Sequence, residues 1–295
     1  MAPRTTGIEY ELDDDAAQDR LMLVTNWSPD GQAEDFLVAH APVPTAVADH
    51  SSWGVMRPHT PGCLVLDAVP FSNHIVYLLR ENALPRIIIE TKATGAISAI
   101  EFSEEAYDLA LGAMGQYDTN TLRFTYASMT TPMQTTDYDM DTGARVLRKS
   151  QNVPSGHDPA NYVTRRISAT SHDGAEVPLS VVYHRDTPLD GTAPVLLYGY
   201  GAYGITVPAS FTVTRLSLVT RGFIYAIAHI RGGKACGHNW FMQGRGPKKT
   251  NSFEDFAGAA RALIARGWTK PGNITIHGGS AGGLLDQALT TGTFT

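Results

Sequence analysis

The sequence predicts two domains in series, an all-β propeller-like half over residues 1–148 and an α/β half with a parallel sheet over residues 149–295. Three observations carry this prediction. Short strand-like segments recur in the first half at a spacing of roughly fifty residues, the size of a four-stranded propeller blade. Strand-like and helix-like segments alternate after Pro194, the pattern of a parallel sheet with right-handed crossovers and both faces covered. Near the end, the β-branched run Asn273-Ile274-Thr275-Ile276-His277 delivers the chain into Gly278-Gly279-Ser280-Ala281-Gly282-Gly283, the layout of a serine on a strained strand-to-helix turn. A chain of 295 residues with 43% apolar content can bury the core that two domains need.

In chain order, strands are predicted over 20–25, before the Ser28-Pro29-Asp30-Gly31 turn, and over 75–79, 86–90, 122–126 and 136–140. Segments 21–26, 76–82 and 123–129 resemble one another, and Lys92-Ala93-Thr94-Gly95 returns as Met140-Asp141-Thr142-Gly143 at a hairpin turn. There is room for about three blades where a closed ring needs about four or more, so an open ring is expected. Residues 149–161 turn polar, with Pro154-Ser155-Gly156 and Asp158-Pro159, and read as a linker. Strands at 162–169 and 176–184 flank the His172-Asp173-Gly174 turn. A buried strand at 195–198, a helix at 214–220, a buried strand at 223–230, a helix at 252–266 and a strand at 274–277 follow. The long helix has a Ser-x-x-Asp start at Ser252 and Asp255, an apolar stripe of Phe253, Phe256, Ala260 and Leu263, and Gly267 to end it. Leu284 to Leu289 begin a further helix, whereas 290–295 is poor helix material.

The chemistry concentrates at Ser280. A tight strand-to-helix bend leaves no room for side chains two before and two after the serine, which accounts for Gly278 and Gly282. Ser280 is thereby pushed into solvent reach, and the backbone N–H of Ala281, at a helix N-terminus, is placed to stabilise an oxyanion. His277 reads as a histidine packed on the entering strand. Gly199-Tyr200-Gly201-Ala202-Tyr203-Gly204 matches the Gly-x-Gly-x-x-Gly dinucleotide fingerprint directly after a strand. No Asp or Glu lies between Gly191 and Phe253 to hold a ribose, Arg231 leaves only a 2′-phosphate reading, and Pro208 suits a loop better than a phosphate-capping helix. No cofactor is expected.

Cys236 and His238 supply two ligands and make no zinc site, so no metal is expected. Seven basic residues, Arg215, Arg221, Arg231, Lys234, Arg245, Lys248 and Lys249, read as a solvated face balancing the acidic N-terminal half. A subsidiary reading has some of them meeting a substrate carboxylate. The net charge of −6 gives no case for nucleic acid or a membrane surface as partner. Met1 to Gly7 has no signal-peptide core, no apolar run reaches membrane-spanning length, and Cys63 and Cys236 read as free thiols; a cytoplasmic location is expected.

Several motifs in one order carry a resemblance. Leu197-Tyr198-Gly199-Tyr200-Gly201-Ala202-Tyr203-Gly204, Arg215-Leu216-Ser217-Leu218, Tyr225 through Gly233, Lys248 through Phe256 and Gly278-Gly279-Ser280-Ala281-Gly282-Gly283 resemble the prolyl oligopeptidase family of serine peptidases, its oligopeptidase B branch most. Leu122 through Pro132 and Val153 through Pro159 resemble the same family's last propeller blade and interdomain crossing, so the match runs from about Gly7 to Gly283. The resemblance implies an α/β-hydrolase peptidase domain capped by a β-propeller and cleaving short peptides, in the oligopeptidase B branch after Arg or Lys. It makes Ser280 the nucleophile, the Ala281 N–H one oxyanion donor and the Tyr200 hydroxyl the other. Read without the resemblance, Tyr200 is an aromatic packed over a Gly-rich turn.

The chain departs from that pattern in its tail, where 290–295 lacks the small, apolar continuation the resemblance implies, and in its catalytic partners. In this fold the order is Ser, then Asp or Glu, then His, yet all ten histidines precede Ser280 and Asp286 is the only acid after it. The triad Asp and His are therefore expected to be absent, and the chain to be an internal piece of a longer enzyme with an unpaired parallel sheet edge. A serine oligopeptidase fragment, a general esterase on the same turn, and a catalytically silent remnant are the three functional readings.

Overall fold

The computed structural model describes residues 5–43, 50–113 and 115–290. Three four-stranded antiparallel sheets come first, each in sequential strand order. They are β1 (Tyr10–Asp15), β2 (Arg20–Ser28), β3 (Gly31–Pro42) and β4 (Gly54–Arg57); β5 (Cys63–Pro70), β6 (His74–Glu81), β7 (Leu84–Thr91) and β8 (Ala96–Ala99); and β9 (Tyr107–Leu111), β10 (Thr121–Ser128), β11 (Gln134–Asp139) and β12 (Arg145–Ser150). The repeated segments correspond to β2, β6 and β10, the second strand of each blade. The two repeated Thr-Gly turns join third to fourth strands, with Gly95 at φ 67° and Gly143 at φ 76°.

Seven strands gave no clear signal in the sequence, and the two at the extremes show why. β1 (Tyr-Glu-Leu-Asp-Asp-Asp) and β12 (Arg-Val-Leu-Arg-Lys-Ser) bury almost no side chain, so they show no apolar alternation. They are strands because β2 and β11 offer them a ladder. β6 is the opposite case. Ile75, Tyr77 and Leu79 pack toward Met22, Val24 and Val38 of the first blade, while Val76 and Leu78 pack toward Leu109, Leu122 and Phe124 of the third. A strand buried on both faces reads as an unbroken apolar run.

One carboxylate joins all three blades. Asp15, fully buried, accepts hydrogen bonds from Arg20 at 2.8 Å and from the Tyr117 hydroxyl at 2.7 Å, and pairs with Lys92. Burial opposes ionisation of Asp15, but the bonds from Lys92, Tyr117 and Arg20 outweigh it and hold the carboxyl below its ordinary range.

Residues 151–158 are irregular and lead through a single 3₁₀ turn at Pro159–Asn161 into a five-stranded sheet. Its order is β13 (Tyr162–Thr170), β14 (Glu176–His184), β16 (Ile224–Ala228), β15 (Val195–Tyr198), β17 (Ile274–His277). β16, β15 and β17 are parallel as the alternation predicts. β13 and β14 form a hairpin and pair antiparallel, as β14 does with β16, so the sheet is mixed; the short turn between them cannot hold a crossover. α1 (Val213–Val219), α2 (His238–Met242), α3 (Thr250–Ala265) and α4 (Gly283–Thr290) complete this half. One sheet face buries Leu179, Val181 and Ala226 against Phe256, Ala259 and Leu263 of α3. The other buries Val182, Tyr225 and Ile227 against Val219 of α1, Ala209 and Met129. β17 lies at the sheet edge, its residues alternately half-buried and exposed. No helix is long and apolar enough to cross a membrane among the described residues, and residues 291–295 of the tail lie outside them.

α3 starts at Thr250, two residues before the expected cap, and Ser252 and Asp255 are buried inside it rather than capping it. The Ser252 hydroxyl donates to Arg231 O at 2.7 Å. Asp255 accepts from the Arg231 guanidinium (2.6 Å to Nη2, 2.9 Å to Nε) and from its backbone N–H at 2.9 Å. Arg231 also reaches Asp173 at the β13–β14 turn, at 2.5 Å and 3.1 Å, and its guanidinium lies over the Trp240 ring at 5.6 Å. Hairpin, helix and the loop after β16 are thus clamped by one buried cation. Breaking such a pair by removing one partner costs about 3–5 kcal/mol.

The hydrogen bonds from Arg231 hold the Asp173 carboxyl down to about 2, against an ordinary value of 3.8. A carboxyl depressed in the folded state stabilises above its unfolded value and loses that contribution as pH falls through the folded one. We expect thermal stability to drop between about pH 4 and pH 2, with a smaller drop in Asp173→Asn, measured as unfolding midpoints across that range.

Candidate functional site

The end of β17 is built from backbone packed on backbone. Ser280 takes φ 53°, a left-handed conformation rare for a residue with a side chain. It is held there by the flanking turn, in which Gly282 N donates to Gly279 O at 2.8 Å. A Cβ on Gly278 would overlap the Gly282 carbonyl, and one on Gly282 would lie 2.8 Å from Gly199 O and 3.3 Å from the Tyr200 Cα. Gly279 has open space around its Cβ position. The two glycines that the sequence singles out are therefore the sterically obligatory ones, and Ser280 between them is exposed.

The loop after β15 meets this turn directly. Gly199 N donates to His277 O at 3.2 Å, carrying the parallel ladder past the ends of both strands. A Cβ at Gly199 would lie 2.8 Å from the Phe256 ring and 3.1 Å from Leu285, which close the underside. Tyr200 is half-buried, with its ring 3.4 Å from the Cβ position of Gly282. The structure thus brings Tyr200, Ala281 and Ser280 to one corner. Among the described residues neither the Tyr200 nor the Ser280 hydroxyl has a hydrogen-bond partner. A phenol, an amide and a hydroxyl converging at a strand end can present two donors to an anion that forms on an electrophile bonded to the serine.

Other sequence expectations change. Arg231 is committed to Asp255 and Asp173, and Gly201, at φ 64°, packs against Ile230 and Arg231 O, so neither cation nor glycine loop is free to receive a dinucleotide phosphate. The seven basic residues do not form one solvated face. Lys249 reaches under the loop to Gly201 O and to Ser252 Oγ (3.2 Å), Arg215 lies over the Tyr225 ring at 4.7 Å, and Lys234 sits over Phe36 and Phe241; Arg221, Arg245 and Lys248 remain exposed. Of the cations in this acid-free stretch that turn inward, Arg231 meets acids from outside the stretch and Lys249, Arg215 and Lys234 meet carbonyls and rings. His277 is exposed rather than packed in the core, its ring 5.4 Å from that of Tyr198 at the sheet edge. Asp286 accepts from Gly278 N at 2.9 Å and so fixes the entry to the turn. Burial pushes the Cys236 thiol up to about 11, which makes it a poor nucleophile, and the His238 backbone N–H is held by Asp35 of β3.

Sequence reasoning missed Lys249, Phe256 and Asp286 as supports of the corner. The apolar period marked Phe256 only as core, and nothing in the spacing of Asp286 announces that it folds back on Gly278.

Comparison with known proteins bears on the whole chain. Residues 1–151 match the model of the prolyl oligopeptidase N-terminal beta-propeller domain, and residues 209–293 match that of the prolyl oligopeptidase family. The chain is 37% identical over 291 residues to dipeptidyl aminopeptidase BI of Pseudoxanthomonas mexicana, covering 98% of this chain and 39% of that protein. It is 34% identical over 220 residues to protease 2 of Moraxella lacunata, covering 75% and 32%. Oligopeptidase B from Leishmania major superposes with a TM-score of 0.87 at 32% identity, covering 97% of this chain and 40% of that one. Oligopeptidase B from Trypanosoma brucei, with covalently bound antipain, gives 0.86 at 34%, covering 97% and 41%. The chain spans about two fifths or less of the length of these relatives.

The glycine contacts set a graded expectation. Gly278→Ala and Gly282→Ala each force backbone apart and should cost about 3 kcal/mol or more, whereas Gly279→Ala, with φ −97° and an open Cβ position, should stay within about 1 kcal/mol. Denaturant unfolding of the three variants measures the difference.

Proposed function

Since this chain belongs to the prolyl oligopeptidase family of serine peptidases, we propose that it forms the nucleophile-bearing part of such an enzyme. Residues 1–148 are the last blades of its β-propeller, and residues 149–295 are the N-terminal part of an α/β-hydrolase peptidase domain. Ser280 is the nucleophile, and the Ala281 N–H and the Tyr200 hydroxyl are the oxyanion donors. The observation that carries this reading is the left-handed Ser280 wedged between Gly278 and Gly282, with Tyr200 on the far side of Gly282. A strained serine with no structural hydrogen bond of its own is the signature of a reacting group. Short peptides are the substrate class. Cleavage after Arg or Lys is part of this proposal, as the preference that the resemblance to the oligopeptidase B branch implies.

Mechanistically, Ser280 Oγ attacks a peptide carbonyl, the carbonyl oxygen becomes an oxyanion, and the two donors stabilise it as charge develops. The Oγ proton must pass to a base. None of the ten histidines is hydrogen-bonded to Ser280 among the described residues, and the hydrogen bond of the Asp286 carboxylate is from Gly278 N to its Oδ2, not from Ser280. That arrangement favours a second reading, a folded but catalytically silent chain. A general esterase on the same turn is a third, separated by comparing ester with peptide substrates.

A fluorophosphonate probe tests the proposal on the chain as it stands. We expect slow labelling at Ser280, located by mass spectrometry and absent in Ser280→Ala. Tyr200→Phe should slow it by about 10²–10³-fold, the usual cost of one oxyanion donor. Folded protein that takes up no label would establish the silent reading instead.

A further inference from the structure

Beneath Tyr200 lies a small cavity of about 10 Å³ lined by Tyr200, Gly201, Thr206, His229 and Gly233 among others. Most of its wall is apolar or backbone, but two polar side-chain atoms in its lining residues are buried with no hydrogen-bond partner among the described residues, His229 Nδ1 and Thr206 Oγ1. His229 is 5% exposed. Its other ring nitrogen, Nε2, is 2.8 Å from Ser180 Oγ, and its backbone is fixed on both sides: N–H donates to Pro178 O, and O accepts from Trp240 Nε1. With Nε2 engaged and the backbone pinned, the ring is held in an orientation that leaves Nδ1 buried and without a partner among the described residues. Burial, with Arg166 and Arg80 nearby, pushes its pKa down to about 3, so the ring is neutral near pH 7. A neutral ring carries one N–H and one lone pair. Whichever role Nε2 takes toward Ser180, donor or acceptor, Nδ1 is left with the complementary need.

We infer that one water molecule occupies this cavity, bridging His229 Nδ1 and Thr206 Oγ1, and that His229 and Thr206 are thereby positioning residues for Tyr200. The volume matches a single water, and such a water is held when two or more polar partners line a site of that size. Water carries two donors and two acceptors, so it satisfies Nδ1 in either tautomer and the hydroxyl together. Gly201 and Thr206 flank the turn whose Ile205 N–H closes on Ala202 O at 3.0 Å. A bridge from Thr206 to the ring of His229 ties that turn, and with it Tyr200, to the residue that directly follows β16. The same loop is held from another side by Lys249 on Gly201 O. The positioning role rests on the assignment of the Tyr200 hydroxyl as an oxyanion donor; the water site does not.

High-resolution crystal structures of the 295-residue chain and of Thr206→Ser and Thr206→Val test both parts. We expect one fully occupied solvent peak about 2.7–3.2 Å from both atoms in the parent and in Thr206→Ser. In Thr206→Val the peak should be lost and the Tyr200 ring displaced. An absent peak, a peak touching only one of the two atoms, or an unmoved Tyr200 in Thr206→Val would overturn the inference. Phosphonate labelling adds a cycle: Thr206→Val should slow labelling roughly threefold to tenfold, the scale of coupled neighbours, but should add nothing in a Tyr200→Phe background. Equal slowing in both backgrounds would remove the positioning role. If no variant labels at all, the assignment of Ser280 fails, while the solvent peak and the Tyr200 displacement still decide this inference.

Discussion

Three backbone segments meet at Gly199, Gly278 and Gly282 with no side-chain volume between them, and the rest of the second half is arranged to permit that contact. Parallel pairing of β15 with β17 sets the two strand ends side by side, and the bond from Gly199 N to His277 O continues the ladder into both loops. Phe256 and Leu285 then fill the space below Gly199 that a Cβ would otherwise claim. Loop and turn behave as one body because neither can move without parting backbone that is already in contact. A left-handed serine persists only where its surroundings over-determine it in this way.

The contact depends in turn on α3, and α3 is fixed by charge as well as by oil. Phe256 sits one residue after Asp255, so the pairing of Asp255 with Arg231 sets the rotation and depth at which that ring enters. Arg231 is a strongly held cation: its burial alone would favour the neutral form, but the bonds it donates to Asp255 and Asp173 outweigh this and raise its pKa. Lys249 shows the contrasting case. It is desolvated, burial lowers its pKa, and its hydrogen-bond partners are a carbonyl and a hydroxyl rather than a carboxylate. One cation locks the helix and the other braces the loop that bears Tyr200, so the absence of acids from 191–253 leaves Asp255 and Asp173 as the acids that meet Arg231.

Much of this was legible in the sequence. β15 and β17 lie where apolar runs of four residues predict them, and α1 and α3 start within two residues of their expected positions. Those signals are local, arising from period, turn chemistry and the steric needs of glycine. What escaped was set by partners distant in the chain. Ser252 and Asp255 fit a capping box by spacing, yet the pull of Arg231, more than twenty residues earlier, draws both inward. The basic residues looked like a solvated face because composition cannot report that Arg215 finds a ring and Lys249 a carbonyl. β1 and β12 carried no pattern because their places are dictated by neighbours rather than by burial.

The same division between local and distant determinants separates the two halves of the proposed chemistry. Presenting a hydroxyl and two donors requires only a glycine-framed turn, the amide that follows it and one tyrosine held by an adjacent loop, all supplied by neighbouring strand ends. Accepting the proton requires a base aimed at Ser280 from outside that frame. His277 cannot serve from β17 in the triad arrangement, because it precedes the serine on the strand itself and its ring turns to Tyr198. Asp286 is likewise drawn to Gly278 by the need of that N–H for an acceptor. In the proposed chemistry, oxyanion stabilisation and hydroxyl activation are thus physically separable. A reagent that brings a strongly electrophilic centre exploits the first without much of the second, whereas a peptide bond needs both.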